Sequence, residues 1–490
     1  MKHMTVYTKL LLVIWGTAVF TLVACQTNKP ATPLAAATSQ LSHTPAPTIF
    51  VTETPRIVET AVPTSPPSPT ATQTARPTPF LAVSAPILSS QGQLAYIKNE
   101  TLFVETAVNT GTFSEIHSSI ASASWSPQGD KLLLETCDLT NQAYCLEPIW
   151  LLFHSETNSI LNLSDTILNL PSSYLGTPRW MQNGEKILFW EIIEGTISIL
   201  DLKTSQFSTP IHVFMAHEFW ELPNENLMIQ DRLGSRANEL HVYDLDGKIL
   251  WSFPNTRPWG IEGGNAGVLG FSESGKLLVI LEPDEKMNEF AVFYRFDPET
   301  FEIESHYSYQ IVPATSVEIS PDGNFIAMHV QTEQEGSEDT ELMIIDRWGF
   351  LQGQRPNNQI VDWRLSSQPT TNEIMSDGLT RLTYWIPGAP VIEIITPPNR
   401  YTFISGKWSE DGRFFIYSTV DEAANQSHLT LWQTEASEPT LLATAEGTDG
   451  FQNFAWLPGG TAFYFNFGRS ELWKFEVAAG SLVLVASATN

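Results

Sequence analysis

A nucleophilic serine needs a strained turn, a zinc ion needs several ligands on one face, and a phosphate needs a cradle of backbone N–H groups. The chain offers a near-miss for each. Gly270-Phe271-Ser272-Glu273-Ser274-Gly275 has the residue types of a nucleophile elbow but is one residue too long. His217-Glu218 lacks the second histidine four residues on that a zinc-binding helix requires. Glu262-Gly263-Gly264-Asn265-Ala266-Gly267 is followed by neither Lys-Ser/Thr nor a helical pattern, so it cradles no phosphate. Asp244-Leu245-Asp246-Gly247 resembles a calcium loop only in isolation, because between two strand-like runs the same residues make an ordinary turn. Carboxylates abound, 54 Asp and Glu against 26 Lys and Arg, but abundance selects no acid–base pair. No catalytic, cofactor-binding or metal-binding residue is expected, and an enzyme is disfavoured.

The charge is unevenly spread. Residues 1–80 hold five basic and two acidic side chains, which leaves 52 acidic against 21 basic and a net charge of −31 for residues 81–490. Such a body repels phosphate backbones, so nucleic acid is not expected as a partner. At the N-terminus, Lys2 and Lys9 precede the apolar run Leu10 to Ala24, which has the order of an export signal and is short for a membrane span. The run ends in Leu22-Val23-Ala24-Cys25, which resembles the lipobox of bacterial lipoproteins. That resemblance implies a signal peptide at 1–24, a lipidated Cys25 as the first mature residue, and an extracytoplasmic protein held to a cell-envelope membrane by acyl chains. Cys137 and Cys145 are then the remaining thiols. An even remainder in an oxidising compartment suggests a disulfide, with two buried free thiols as the alternative.

Of the 54 residues from Thr27 to Phe80, 13 are Thr and 11 are Pro. Proline removes backbone donors and the remainder buries little, so residues 25–87 read as a disordered stalk. Extended at ~3.1 Å per residue, it would reach on the order of 100 Å or more.

From about residue 85 onward strand patterns run throughout, with a repeated unit. Its clearest copy is Ala123-Ser124-Trp125-Ser126-Pro127-Gln128-Gly129-Asp130-Lys131-Leu132-Leu133-Leu134. Others follow at Trp180, Phe271, Ile319, Trp408 and Trp456, a weaker one at Trp220, and the poorest at Trp363, which keeps only the aromatic. The unit encodes a strand, a tight turn with glycine where φ is positive, and a second strand. Third strands and second turns come downstream, as in Leu240-His241-Val242-Tyr243-Asp244-Leu245-Asp246-Gly247. Neighbouring anchors lie 40 to 55 residues apart, which predicts four-stranded antiparallel blades.

The unit resembles the TolB-type β-propeller repeat, a WD40-like motif with Trp-Ser-Pro-Asp-Gly before an apolar strand. The resemblance covers roughly residues 88–490 and implies an all-β propeller. It says nothing of activity. Eight blades are expected and seven allowed, with Gln93 to Val104 completing the ring as part of another blade. The tryptophans of the anchor column, and Trp150, Trp432 and Trp473, are expected in the core. Trp259, Trp348 and Trp385 stand outside the column and are the candidate ligand contacts. The expected function is a lipid-anchored binding or scaffold protein for a protein, peptide or glycan, needing no cofactor. The alternative is a hydrolase or lyase with its groups in the central funnel.

Overall fold

The computed structural model describes residues 82–489 except 138–147, 164–177, 192–194, 209–210, 214–217, 234–236, 254–266, 273–274, 284–288, 311–313, 332–339, 366, 375–379, 386–390, 395–400 and 437. The lipobox, the stalk up to residue 81, Cys145 and Trp259 lie outside the described residues, whereas the expected end of the stalk at 87 is corrected, because Val83 is buried and Ile87 is already in a strand. No helix among the described residues is long and apolar enough to cross a membrane.

The described residues form nine successive four-stranded antiparallel sheets, the blades of a propeller, each built from consecutive strands. Blade 1 spans 87–117, blade 2 120–162, blade 3 179–207, blade 4 218–252 and blade 5 267–310. Blade 6 spans 314–356, blade 7 358–394, blade 8 401–446 and blade 9 451–487. In blade 3 the outer strand is interrupted, since Gln206–Phe207 and Ile211–His212 both pair with the strand Thr196–Asp201. First strands of several successive blades touch one another, as in blades 1 and 2, 5 and 6, 7 and 8, and 8 and 9, while fourth strands such as Ser159–Asn162 are exposed along their length. The first strands therefore converge on the axis and the fourth lie at the rim.

Nine blades correct the expectation of eight or seven, for two local reasons. The N-terminal strands do not complete another blade; they make a sheet of their own. Leu88-Ser89-Ser90-Gln91-Gly92 forms the same turn as Trp125-Ser126-Pro127-Gln128-Gly129, one residue shorter before its second strand. Gly92 N–H donates to Ser89 O at 2.9 Å, as Gly129 N–H does to Ser126 O at 2.8 Å. Ser89 Oγ accepts from Gln91 and Gln93 N–H, as Ser126 Oγ does from Asp130 and Lys131 N–H. In blade 7 Ser367 stands in the glycine's place, its N–H donating to Arg364 O at 3.3 Å, and Leu365, two residues earlier, takes the left-handed conformation at φ 49°.

Interlocking of neighbours explains why the repeat is so regular. The indole N–H groups of Trp125, Trp180 and Trp456 each donate at 3.1 Å to the carbonyl just before the anchor of the preceding blade, on Ile87, Ser124 and Lys407. Apolar residues of facing sheets fill the space between blades, as where Leu133, Trp150 and Leu152 of blade 2 meet Ile187, Phe189 and Leu200 of blade 3. Blades 1 and 9 close the ring the same way: Leu94 and Tyr96 pack with Tyr464 and Leu472, and Val83 N–H donates to Arg469 O at 2.9 Å. A β-bulge recurs in the first strand of blades 2, 5, 6, 7, 8 and 9, before the anchor. Such a bulge bends the strand and interrupts its regular edge.

Candidate functional site

The inner strands of blades 3, 4 and 5 end beside one another, and their anchor residues do not fill the space between them. A groove of 290 Å³ opens there, lined by Arg179, Trp180, Gln182, Phe219, Trp220, Glu221, Phe271 and Ser272 among others. Trp180 and Trp220 were expected as core, and in the structure they are only partly buried and form groove wall. Trp125, Trp363 and Trp408 of the same column are buried, as are Trp150 and Trp432.

Two charged groups give the groove its character. The exposed Arg179 guanidinium lies over the Phe219 ring, 4.9 Å from its centroid, and makes no ion pair among the described residues. In a body with so many carboxylates, an arginine stacked on a ring and left unpaired remains available to an incoming anion. Glu221 Oε2 accepts the Gln182 N–H at 2.7 Å across the blade 3–blade 4 boundary. Burial pushes its carboxyl above the ordinary value, the nearby Glu225 charge adds to this, and the Gln182 hydrogen bond works against both. Glu225 itself is held low by Lys186 and Asn183, its partners from blade 3.

A row of charges occupies the equivalent positions of blades 6 to 8. Glu318, Asp362 and Lys407 each precede their blade's anchor. Asp362 accepts the Trp408 N–H at 2.8 Å and faces Lys407 Nζ at 3.4 Å. Among the described residues no three His, Cys, Asp or Glu side chains gather as a metal site would require.

Trp348, a candidate from sequence, is 46% exposed. It sits on the turn between the third and fourth strands of blade 6, with Arg295 and Arg347 at 4.6 and 5.2 Å from its ring. Its exposed neighbour Phe350 extends that patch. Trp385 ends the third strand of blade 7 opposite Val391, and its side chain lies outside the described residues. Trp348 does not line the groove of blades 3 to 5, so the three candidates are not gathered there. The groove residues were missed because its largest walls, Trp180, Trp220 and Phe271, belong to the repeat column; the signal was Arg179 and Phe219, a cation and an aromatic one blade apart in the same register. Cys137 is buried and disulfide-bonded.

No protein-family model matches the chain, and no curated protein is significantly similar to it in sequence. Solved structures do resemble it. A eukaryotic initiation factor matches at TM-score 0.55 and 13% identity over 82% of this chain and 95% of that one. The β-propeller domain of the Trilobed protease from Pyrococcus furiosus, with an open velcro topology, matches at TM-score 0.37 and 12% identity over 75% and 95%. The C-terminal WD40 domain of Sif2 matches at TM-score 0.40 and 10% identity over 79% and 93%. At such identities the likeness concerns the fold alone, the two matches below TM-score 0.5 carry no argument, and the fold is the β-propeller that the strand pairing shows.

Proposed function

We propose that the chain is an extracytoplasmic lipoprotein of the TolB-like propeller type, which binds a peptide or protein segment bearing a carboxylate in the groove between blades 3 and 5. Leu22-Val23-Ala24-Cys25 after a short apolar run supports the anchor, and the Thr/Pro-rich stretch after it supports a stalk. The observation that carries the binding role is Arg179, stacked on Phe219 and without an ion pair among the described residues, in the lining of a groove walled by Trp180, Trp220 and Phe271. Aromatic walls supply contact area, and a planar guanidinium fixes a carboxylate in two-pronged geometry. Glu221, held towards its protonated form by burial, donates a hydrogen bond once protonated and repels an anion less.

Affinity capture with immobilised peptides that carry or lack an acidic C-terminal residue tests this. Retention of the acidic peptides, weakened about tenfold by Arg179→Ala and not by Arg347→Ala, is the expected result. Equal retention by wild type and Arg179→Ala would remove the groove from the account. For the anchor, a fatty-acid analogue should label the wild-type chain and not Cys25→Ser.

A further inference from the structure

A second groove, of 360 Å³, lies between the inner strands of blades 7 and 8, lined by Gln359, Ile360, Val361, Asn372, Phe403, Ile404, Ser405 and Gly406. We infer that it is a binding site for a neutral saccharide, independent of the peptide groove proposed above.

Three observations carry this. The first is charge: none of the eight lining residues is ionisable, although the body around them is strongly acidic. A charged ligand finds no counter-ion there, and a neutral one meets no repulsion. The second is a pair of carboxamides. Gln359 and Asn372 are directly opposite in the first two strands of blade 7, so both side chains stand on one face of the sheet. Together they offer two acceptor oxygens and two NH2 groups, which suits adjacent hydroxyls that both donate and accept. The third is an unmet need. Asn372 Oδ1 is buried and has no hydrogen-bond partner. A buried acceptor without a donor is destabilising, and rotation of the Asn372 carboxamide toward the groove would let a ligand hydroxyl satisfy it. Phe403, Val361 and Ile404 complete an apolar wall against which the C–H face of a sugar ring can lie.

An extended peptide fits less well. It binds an inner strand by adding to a regular edge, and both edges here are interrupted, by a bulge between Ile360 and Asp362 and another between Phe403 and Ser405.

Saturation-transfer NMR and calorimetry on the full chain test the site, with cellobiose, maltose and chitobiose as neutral probes and glucuronic acid as the charged control. At least one neutral disaccharide should bind in preference to glucuronic acid, and Asn372→Ala should weaken it about tenfold or more. The same substitution should leave the melting temperature unchanged or higher, because it removes an unsatisfied buried acceptor. Gln359→Ala, at an exposed position, gives an independent reading should Asn372→Ala fail to fold. Failure of all three disaccharides to bind overturns the inference, as does equal binding by both variants. A lowered melting temperature for Asn372→Ala with unchanged affinity would make Asn372 a structural residue and also overturn it. Arg179→Ala should not affect saccharide binding, so the two grooves stand or fall separately.

Discussion

The indole N–H of Trp363 donates to Glu318 Oε1 at 2.6 Å, joining the inner strand of blade 7 to that of blade 6. At Trp125, Trp180 and Trp456 the equivalent indole bonds a backbone carbonyl of the preceding blade, so here a carboxylate has taken over a main-chain role.

That substitution has a pH signature. Glu318 meets solvent along the inner strand, yet enough protein surrounds it that burial lifts its carboxyl above the usual 4.5; the Asp362 charge adds to the rise and the Trp363 hydrogen bond opposes it. The folded state therefore binds this proton more readily than the unfolded chain does. The contribution of Glu318 is most favourable below the ordinary carboxyl value and declines as pH rises through the raised one. Glu318→Gln keeps the acceptor and removes the charge. Its melting temperature should exceed wild type at pH 7, with the gap closing as pH falls below 4.5. A gap independent of pH would show that the carboxylate does not titrate differently on folding.

Trp408 and Trp348 should behave oppositely. Trp408 is 4% exposed, donates to Thr370 Oγ1 at 2.6 Å and packs against Tyr384, Phe415 and Trp432. Trp408→Ala should destabilise by about 3–5 kcal/mol, as truncation of a buried aromatic does. Trp348→Ala removes an exposed ring and two cation–π contacts, and should stay within about 1 kcal/mol of wild type. Urea titration of both variants checks the contrast.

Gly275 sits in the turn of blade 5 at φ 69°, and a Cβ there would lie 2.8 Å from Pro223 Cδ in the turn of blade 4. Backbone strain and the clash act together. Gly275→Ala should cost about 1–3 kcal/mol, whereas Gly480→Ala, with comparable φ and open space around it, should cost less. Equal losses would mean that the contact between turns contributes nothing.

Cys137 is disulfide-bonded, and the proposed lipidation of Cys25 would leave Cys145 as its partner. Thiol titration of the unfolded, unreduced exported chain should find neither Cys137 nor Cys145 free. Replacing both by serine should cost on the order of 2 kcal/mol by the chain-entropy model.

Much of the fold was legible because turns are local. Ser126, Pro127 and Gly129 encode a turn within a few residues, so copies of it announce strands and blades wherever they recur. Leu88 escaped notice as an anchor because leucine does a tryptophan's packing without its signature, and because its turn is one residue shorter. Blade 7 was doubtful because Ser367 stands where most other copies of the turn carry glycine.

The sequence by itself determined an acidic all-β repeat with an export-signal pattern and a Thr/Pro-rich stretch ahead of it. Composition and local backbone preference suffice for that. Only the tertiary structure decided that blade 1 stands alone and packs against blade 9, and that Trp125 is buried while Trp180 and Trp220 wall a groove. Arg179 and Phe219 lie 40 residues apart and meet only when blades 3 and 4 are placed side by side. Whether a ring packs in a core or faces a groove depends on which side chains the adjacent blade presents, and that is a property of the assembled ring rather than of any stretch of chain.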